Sequence, residues 1–141
     1  MNIENAFKHR IALQIRFSDI DRLHHVNNAV YHQYVEYGRV EYFNTVLKDL
    51  VNWNLHGFVL ARTEMDFIHS LKYGDEAICC SKVTEIGNKS VKTETHIYHL
   101  NNGYHLAAQC KGVLVCMNYS NQQSMEVPDA WKVRIKDFES A

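Results

Sequence analysis

Residues 10–50 run RIALQIRFSDIDRLHHVNNAVYHQYVEYGRVEYFNTVLKDL, and the change of pattern inside this stretch decides the fold. The first eight residues alternate apolar and polar as a half-buried strand does, with Ile11, Leu13, Ile15 and Phe17 on one face. From about Ala29 the period turns helical. Tyr31, Tyr34, Val35, Gly38, Tyr42, Val46 and Leu50 recur mostly three or four apart, so one long helix is expected from Ala29 to Leu50. Between strand and helix lies a polar stretch ending in Asn27-Asn28, a residue type that caps helix N-termini by accepting from free backbone N–H groups. Gly38 inside the helix costs about 1 kcal/mol relative to alanine, which marks a place where something packs close against the backbone.

Downstream of the helix nearly everything reads as strand. FVLARTEMDFI, from Phe58, is expected to turn Val59, Ala61, Thr63, Met65 and Phe67 to one side. A turn at Lys72-Tyr73-Gly74-Asp75 leads to EAICCSKVTEI, and Gly87-Asn88-Lys89 leads to SVKTETHIYHL. Asn101-Asn102-Gly103 then signals a hairpin into a last strand from about Tyr104 to Met117. The segment PDAWKVRIKDF, opened by the only proline, Pro128, fits a short helix or a strand-like tail equally well. Strand, long helix and four hairpin-linked strands make an α+β domain spanning residues 1–141, whose antiparallel sheet wraps one central helix.

Composition narrows the function classes. Lys plus Arg total 15 against 16 Asp plus Glu, so no global field favours nucleic acid or an anionic membrane, and no apolar run reaches membrane-span length. With no secretory leader pattern at the start, a cytoplasmic protein is expected. Cys79, Cys80, Cys110 and Cys116 contain no C-x-x-C pair and read as reduced core and strand residues. Nine histidines raise the question of a metal, and His32 with Glu36 share a helical face, yet a zinc site needs three or four converging ligands, and no metal or other cofactor is expected.

The segment Asp19-Ile20-Asp21-Arg22-Leu23-His24-His25-Val26-Asn27-Asn28, followed by Tyr31, resembles the D-x-D-x-x-x-H-V-N-N-x-x-Y signature of hotdog-fold thioesterases related to 4-hydroxybenzoyl-CoA thioesterase and the plant acyl-ACP thioesterases. The element order is the hotdog order, and the R-T-E-M-D-F strand followed by Tyr73-Gly74-Asp75 is similar too. Two positions depart from the pattern: His24 stands where many relatives have glycine, and Ser70 where many have proline. The resemblance implies an acyl-CoA thioesterase with Asp21 as essential carboxylate, acting as nucleophile or as general base, and with the Asn28 backbone N–H as oxyanion donor. It also implies a homodimer or homotetramer.

Physical reasoning supports the same picture, since a thioester has a good leaving group and needs only a positioned carboxylate and donors for the developing oxyanion, which a helix N-terminus supplies. His25 and Asn27 are expected to hold the loop or the substrate, although capping alone accounts for Asn27. Asp19 is expected to be structural, and an aspartate two residues before the other is expected to raise its pKa if both are buried. Glu36, Glu41, Glu64 and Asp66 are expected to be solvated or structural. Tyrosines 31, 34, 37 and 42 either line an acyl pocket or form plain core, and Tyr31 is carried as a substrate contact. Arg62, Lys72, Lys82 and Lys89 with Ser90 are candidates for the CoA phosphates. Two other functions compete: a hotdog dehydratase using a histidine and a carboxylate, for which His25 and Glu41 are poor stand-ins, and a non-catalytic acyl-CoA binding module, for which Asp21 beside a helix N-terminus has no use.

Overall fold

The computed structural model describes residues 3–141, beginning with a single helical turn, α1 (Ile3–Ala6), and a first strand, β1 (His9–Leu13). The alternating pattern overstates this strand by four residues. Leu13 and Ile15 are buried as expected, but Phe17–Asp19 form a tight 3-10 turn closed by hydrogen bonds between Arg16 and Asp19. That turn swings Phe17 outward, where it is 79% exposed and meets Tyr73 edge-on with ring centroids 5.8 Å apart.

The long helix, α2, covers Asn28–Leu47, and Lys48, at φ 47, breaks it into a short 3-10 turn, Lys48–Leu50. Its buried stripe includes Tyr31, Tyr34, Val35, Gly38, Tyr42 and Val46, the residues that set the helical period. A methyl at Gly38 would overlap Cys79 Sγ and sit 3.0 Å from Ser81 Oγ, so the glycine is where the sheet touches the helix backbone.

The strands β2 (His56–Phe67), β3 (Ala77–Ile86), β4 (Ser90–Leu100), β5 (Tyr104–Asn118) and β6 (Gln123–Ser124) complete an antiparallel sheet in the order β1-β3-β4-β5-β2, with β6 pairing β5. The sheet curls as a half-barrel with α2 packed against β1, β3 and β4. Asn102 and Gly103, both at positive φ, turn the β4–β5 hairpin.

In β2 the expected inward face is right only beyond the middle. A bulge between Leu60 and Arg62 leaves Ala61 unpaired and shifts the two-residue phase. Before it, Phe58 and Leu60 pair with the core residues Cys116 and Leu114. After it, Thr63, Met65 and Phe67 pair with Gly112, Cys110 and Ala108. Val59 and Ala61 therefore face away from the helix, contrary to the simple alternation. β2 lies at the end of the sheet, with its outer edge unpaired, and Val59, Leu60 and Phe67 are each more than 40% exposed.

The C-terminal segment is a helix, α3 (Asp129–Ser140). It buries Trp131 and Ile135, its Phe138 lies edge-on to Tyr42, and the Tyr42 hydroxyl donates to Glu139 Oε2. Among the described residues the core falls into three clusters, one around Ile3, Phe7, Cys80 and Tyr98 and two along α2. Of the latter, one, around Tyr31, Tyr34, Leu71 and Ile97, backs the helix N-terminus; the other, around Tyr42, Val46, Leu47, Val91 and Trp131, holds its C-terminal half. Each fully buried large side chain contributes about 1.5–3 kcal/mol. No helix among the described residues is long and apolar enough to cross a membrane.

Candidate active site

The strand-to-helix junction is tied at its base. Ile20 and Val26 form an isolated antiparallel bridge, and the five residues between them fold back on Asp21. Its N–H donates to the His25 carbonyl at 2.8 Å, its carbonyl accepts from the His24 N–H at 3.0 Å, and its Oδ1 accepts from the Leu23 N–H at 2.8 Å and the His25 N–H at 3.4 Å. Among the described residues nothing donates to Oδ2. The turn demands a positive φ at residue 24, and His24 supplies it at φ 66. Glycine in the relatives and left-handed histidine here are answers to one backbone requirement.

Asp19 sits beneath the loop and is 1% exposed. Its carboxylate accepts from the Arg16 N–H (2.9 Å), from the Arg16 guanidinium (3.0 and 3.2 Å) and from the Tyr34 hydroxyl (2.7 Å), and its carbonyl accepts from the Asn27 N–H (2.9 Å). Desolvation alone would raise its pKa, but the bonds from Tyr34 and Arg16 together outweigh burial and hold it below the usual carboxylate range. Asp21 is only half-buried, so the two carboxylates do not share a buried site. Desolvation, and after it the bond to Asp19, push the Tyr34 hydroxyl far up.

Asn27 caps α2: its Oδ1 accepts from the Ala29 N–H at 2.9 Å and its carbonyl from the Val30 N–H at 2.8 Å. Among the described residues the Asn28 N–H has no acceptor. A second loop supports the first, since Val26 N–H donates to the Leu71 carbonyl (2.8 Å) and Leu71 N–H donates to the Tyr31 hydroxyl (3.1 Å). Tyr31 is buried and packs edge-on against Phe67, 5.5 Å between centroids. Together these groups frame an open cavity of about 330 Å³ that brings Asp21, His25, Asn27, Asn28 and Tyr31 to one place, with Phe67, His69 and Ser70 opposite.

The expected phosphate contacts do not converge on that cavity within one chain. Lys72 lies in a neighbouring cavity of about 400 Å³ that shares His69 and Ser70 with the first. Arg62 pairs with Glu64 at 2.6 Å on exposed β2. Lys82 donates to the Ala6 carbonyl (3.4 Å) and stands 4.7 Å over the Phe7 ring. Lys89 and Ser90 turn between β3 and β4, at the end of β5 opposite Phe67. Sequence reasoning does not find the histidines beside Lys72: His69 and His99 stack with centroids 5.4 Å apart, and His99 Nε2 approaches Asp75 at 3.6 Å. Thirty residues separate the pair, so no motif spacing announces it.

Residues 15–135 match the sequence model of the thioesterase-like superfamily. An acyl-acyl carrier protein thioesterase of Arabidopsis thaliana, described as chloroplastic, is 24% identical over 132 residues, 92% of this chain and 68% of the plant protein. A Thermus thermophilus thioesterase crystallised with coenzyme A and Zn is 32% identical, superposes with a TM-score of 0.82 and covers 96% of both chains. A predicted thioesterase from Bacillus stearothermophilus, 25% identical, superposes at 0.80 over 92% of this chain and 94% of its own. The architecture is accordingly the α+β hotdog fold.

Proposed function

Since the chain belongs to the thioesterase-like superfamily, we propose that it hydrolyses an acyl-CoA to free acid and CoA, with Asp21 as its catalytic carboxylate. Family membership carries the thioester hydrolase; the finer reading rests on one observation, that Asp21 Oδ2 and the Asn28 N–H are both without partners among the described residues and line one cavity. The thioester carbonyl carbon faces Oδ2 and its oxygen faces the Asn28 N–H, at the positive end of α2. As nucleophile, Oδ2 forms a mixed anhydride while the C–S bond breaks and CoA leaves as thiolate, and water then cleaves the anhydride. As base, Oδ2 takes a proton from the water that attacks the same carbon, the C–S bond then breaks, and CoA leaves as thiolate to collect the proton. Both routes use the same oxyanion donor, worth about 10²–10³ in rate. His25 and Asn27 hold the loop.

The competing readings fare worse. A dehydratase needs a carboxylate beside His25, but Glu41 lies about 20 Å from the start of α2 at 1.5 Å per residue, next to His9. A binding module gains nothing from a partner-free carboxylate opposite a thioester carbonyl. The CoA bound by the Thermus thermophilus relative favours CoA as carrier, as does a net charge of −1 with no broad basic face for an acidic carrier protein. Four unpaired cysteines suit a reducing compartment, and the cytoplasm is the proposed location.

The proposed active unit is a homodimer, or a homotetramer built from two. β2 offers twelve residues of unpaired edge flanked by exposed Tyr37, Val40 and Trp53. A two-fold axis through the middle of β2 carries the Lys89–Ser90 turn of one copy toward the Asp21 cavity of the other. Arg62, Lys82, Lys89 and Ser90 are then proposed phosphate contacts across the dimer, and Lys72 within the chain.

The test is thiol release from a panel of CoA esters by wild type and Asp21→Asn. The expected loss is at least about a hundredfold in kcat with fold and ligand binding kept; activity within a few-fold removes Asp21 from the mechanism. Light scattering at the assay concentration is expected to give a dimer or tetramer, and a stable, fully active monomer would refute the shared site.

A further inference from the structure

Arg39 projects from the middle of α2 and is 9% exposed, yet among the described residues no hydrogen bond or ion pair reaches its guanidinium. Its nitrogens are not sealed in protein either, for among the described residues the only fully enclosed side-chain polar atom without a partner is His9 Nδ1. They open on a cavity of about 500 Å³, separate from the Asp21 cavity, walled by Phe43, Trp53, Phe58, Leu60, Leu114 and Tyr119 and bordered at Val40 and Trp53 by the β2 edge of the proposed dimer.

A charge in this position is costly. Desolvation pulls the Arg39 pKa down, but an arginine gives up its proton only far above neutral pH, so the cation persists. The groups beside it do not neutralise it. Burial pushes the Cys79 thiol up to about 12, so it stays protonated. Glu36, one turn earlier on α2, is exposed, lines the same cavity and forms no ion pair with Arg39. Arg62 and the Glu64 that neutralises it belong to another cavity. An apolar chamber with one buried cation at its base complements a ligand with an apolar body and a planar anionic end that meets the guanidinium fork, while the exposed Glu36 carboxylate at the same cavity opposes it.

We infer that this cavity binds the carboxylate of an apolar organic acid, a fatty or aryl carboxylate, with Arg39 as the carboxylate receptor. The volume lies in the range of small-molecule sites, about 300–1,000 Å³. The inference does not depend on the hydrolase reading, because its signal is binding of a free acid at a place remote from Asp21. The same chemistry has two sources: a free acid, or the far end of an acyl group that itself carries a second carboxylate.

The probe is decanoate, with decanol as its uncharged counterpart, titrated into the full chain by calorimetry and by the fluorescence of Trp53 on the cavity wall. Decanoate is expected to bind saturably, at least tenfold tighter than decanol. Arg39→Met is expected to reduce that preference below twofold, whereas Trp53→Ala weakens both ligands alike and keeps it. Glu36→Gln, which removes the opposing charge, is expected to tighten decanoate several-fold and keeps the test decisive if Arg39→Met does not fold. Thiol release from decanoyl-CoA and from the CoA monoester of a ten-carbon dicarboxylic acid separates the two sources: a preference for the diacid ester that Arg39→Met abolishes assigns the acyl end, and inhibition by decanoate alone assigns the free acid. Absence of saturable decanoate binding, or binding unchanged in Arg39→Met, overturns the inference. A variant that alters the oligomeric state while decanoate binding stays the same gives the guanidinium to a second copy of the chain and overturns it equally.

Discussion

Asp19 and Asp21 stand on the two sides of one loop and are two residues apart, yet their surroundings are opposite. On the inner side, Asp19 takes four donors from Arg16 and Tyr34 and is closed off from water. On the outer side, Asp21 keeps one oxygen for the turn and leaves the other facing an open cavity. The contrast follows from the bridge between Ile20 and Val26, which leaves Asp19 under the helix and holds the five residues it encloses toward the surface. A buried carboxylate whose acceptor sites are all engaged ties the junction together, and a carboxylate with a lone pair that no donor engages suits the role proposed for Asp21.

That contrast is breakable by exchanging the roles. Asp19→Asn is expected to cost about 1–3 kcal/mol of stability, because the buried carboxylate that accepts from Tyr34 and from the exposed Arg16 is replaced by a neutral amide whose NH2 cannot accept, while kcat falls only in proportion to folded protein. Chemical denaturation of Asp19→Asn beside Asp21→Asn checks it; a larger stability loss from Asp21→Asn would invert the assignment. The pH dependence sharpens it. The Asp19 pKa is lowered on folding, so its contribution is fully present above the unfolded value near 4 and is lost as pH falls through the folded value below that. The gap between wild type and Asp19→Asn should therefore close below about pH 4.

Smaller effects separate the two glycine-like positions of the same half of the molecule. Gly38→Ala is expected to cost about 1–3 kcal/mol, since the new methyl overlaps Cys79 Sγ. His24→Gly is expected to do the reverse and add about 1 kcal/mol, because it relieves a left-handed residue that forms no side-chain bond among the described residues. Thermal melts of both, with kcat unchanged within a few-fold for His24→Gly, are the check.

The element order was legible because its signals are local. Tyr31 to Leu47 repeat with the helical period, and Asn102-Gly103 demands positive φ. What escaped depends on single insertions and on distant neighbours. One extra residue at Ala61 reversed the faces of Val59 and Phe58, and a 3-10 turn tied by Asp19 turned Phe17 to solvent. The helix Asp129–Ser140 was undecidable alone, for Trp131 and Ile135 are two apolar anchors in a short segment and gain meaning only against Tyr42 and Phe43. The Asp21 loop was readable as a motif. The cavity at Arg39 was not, since its walls come from α2, β2 and β5 and from Trp53 and Tyr119 in the segments after α2 and β5.

The cysteines carry a consequence of another kind. Cys79, Cys80, Cys110 and Cys116 are all unpaired and all buried, and burial holds Cys79 and Cys80 up at about 12 and Cys116 at about 11. The thiolate is the form that attacks electrophiles and peroxides, so Cys79, Cys80 and Cys116 stay unreactive while the chain is folded, and Cys110 is kept from such reagents by its burial. The proposed reaction frees a CoA thiol beside a protein whose own four are all buried, so an oxidant finds no exposed protein sulfur to join to that thiol in a mixed disulfide until the core opens.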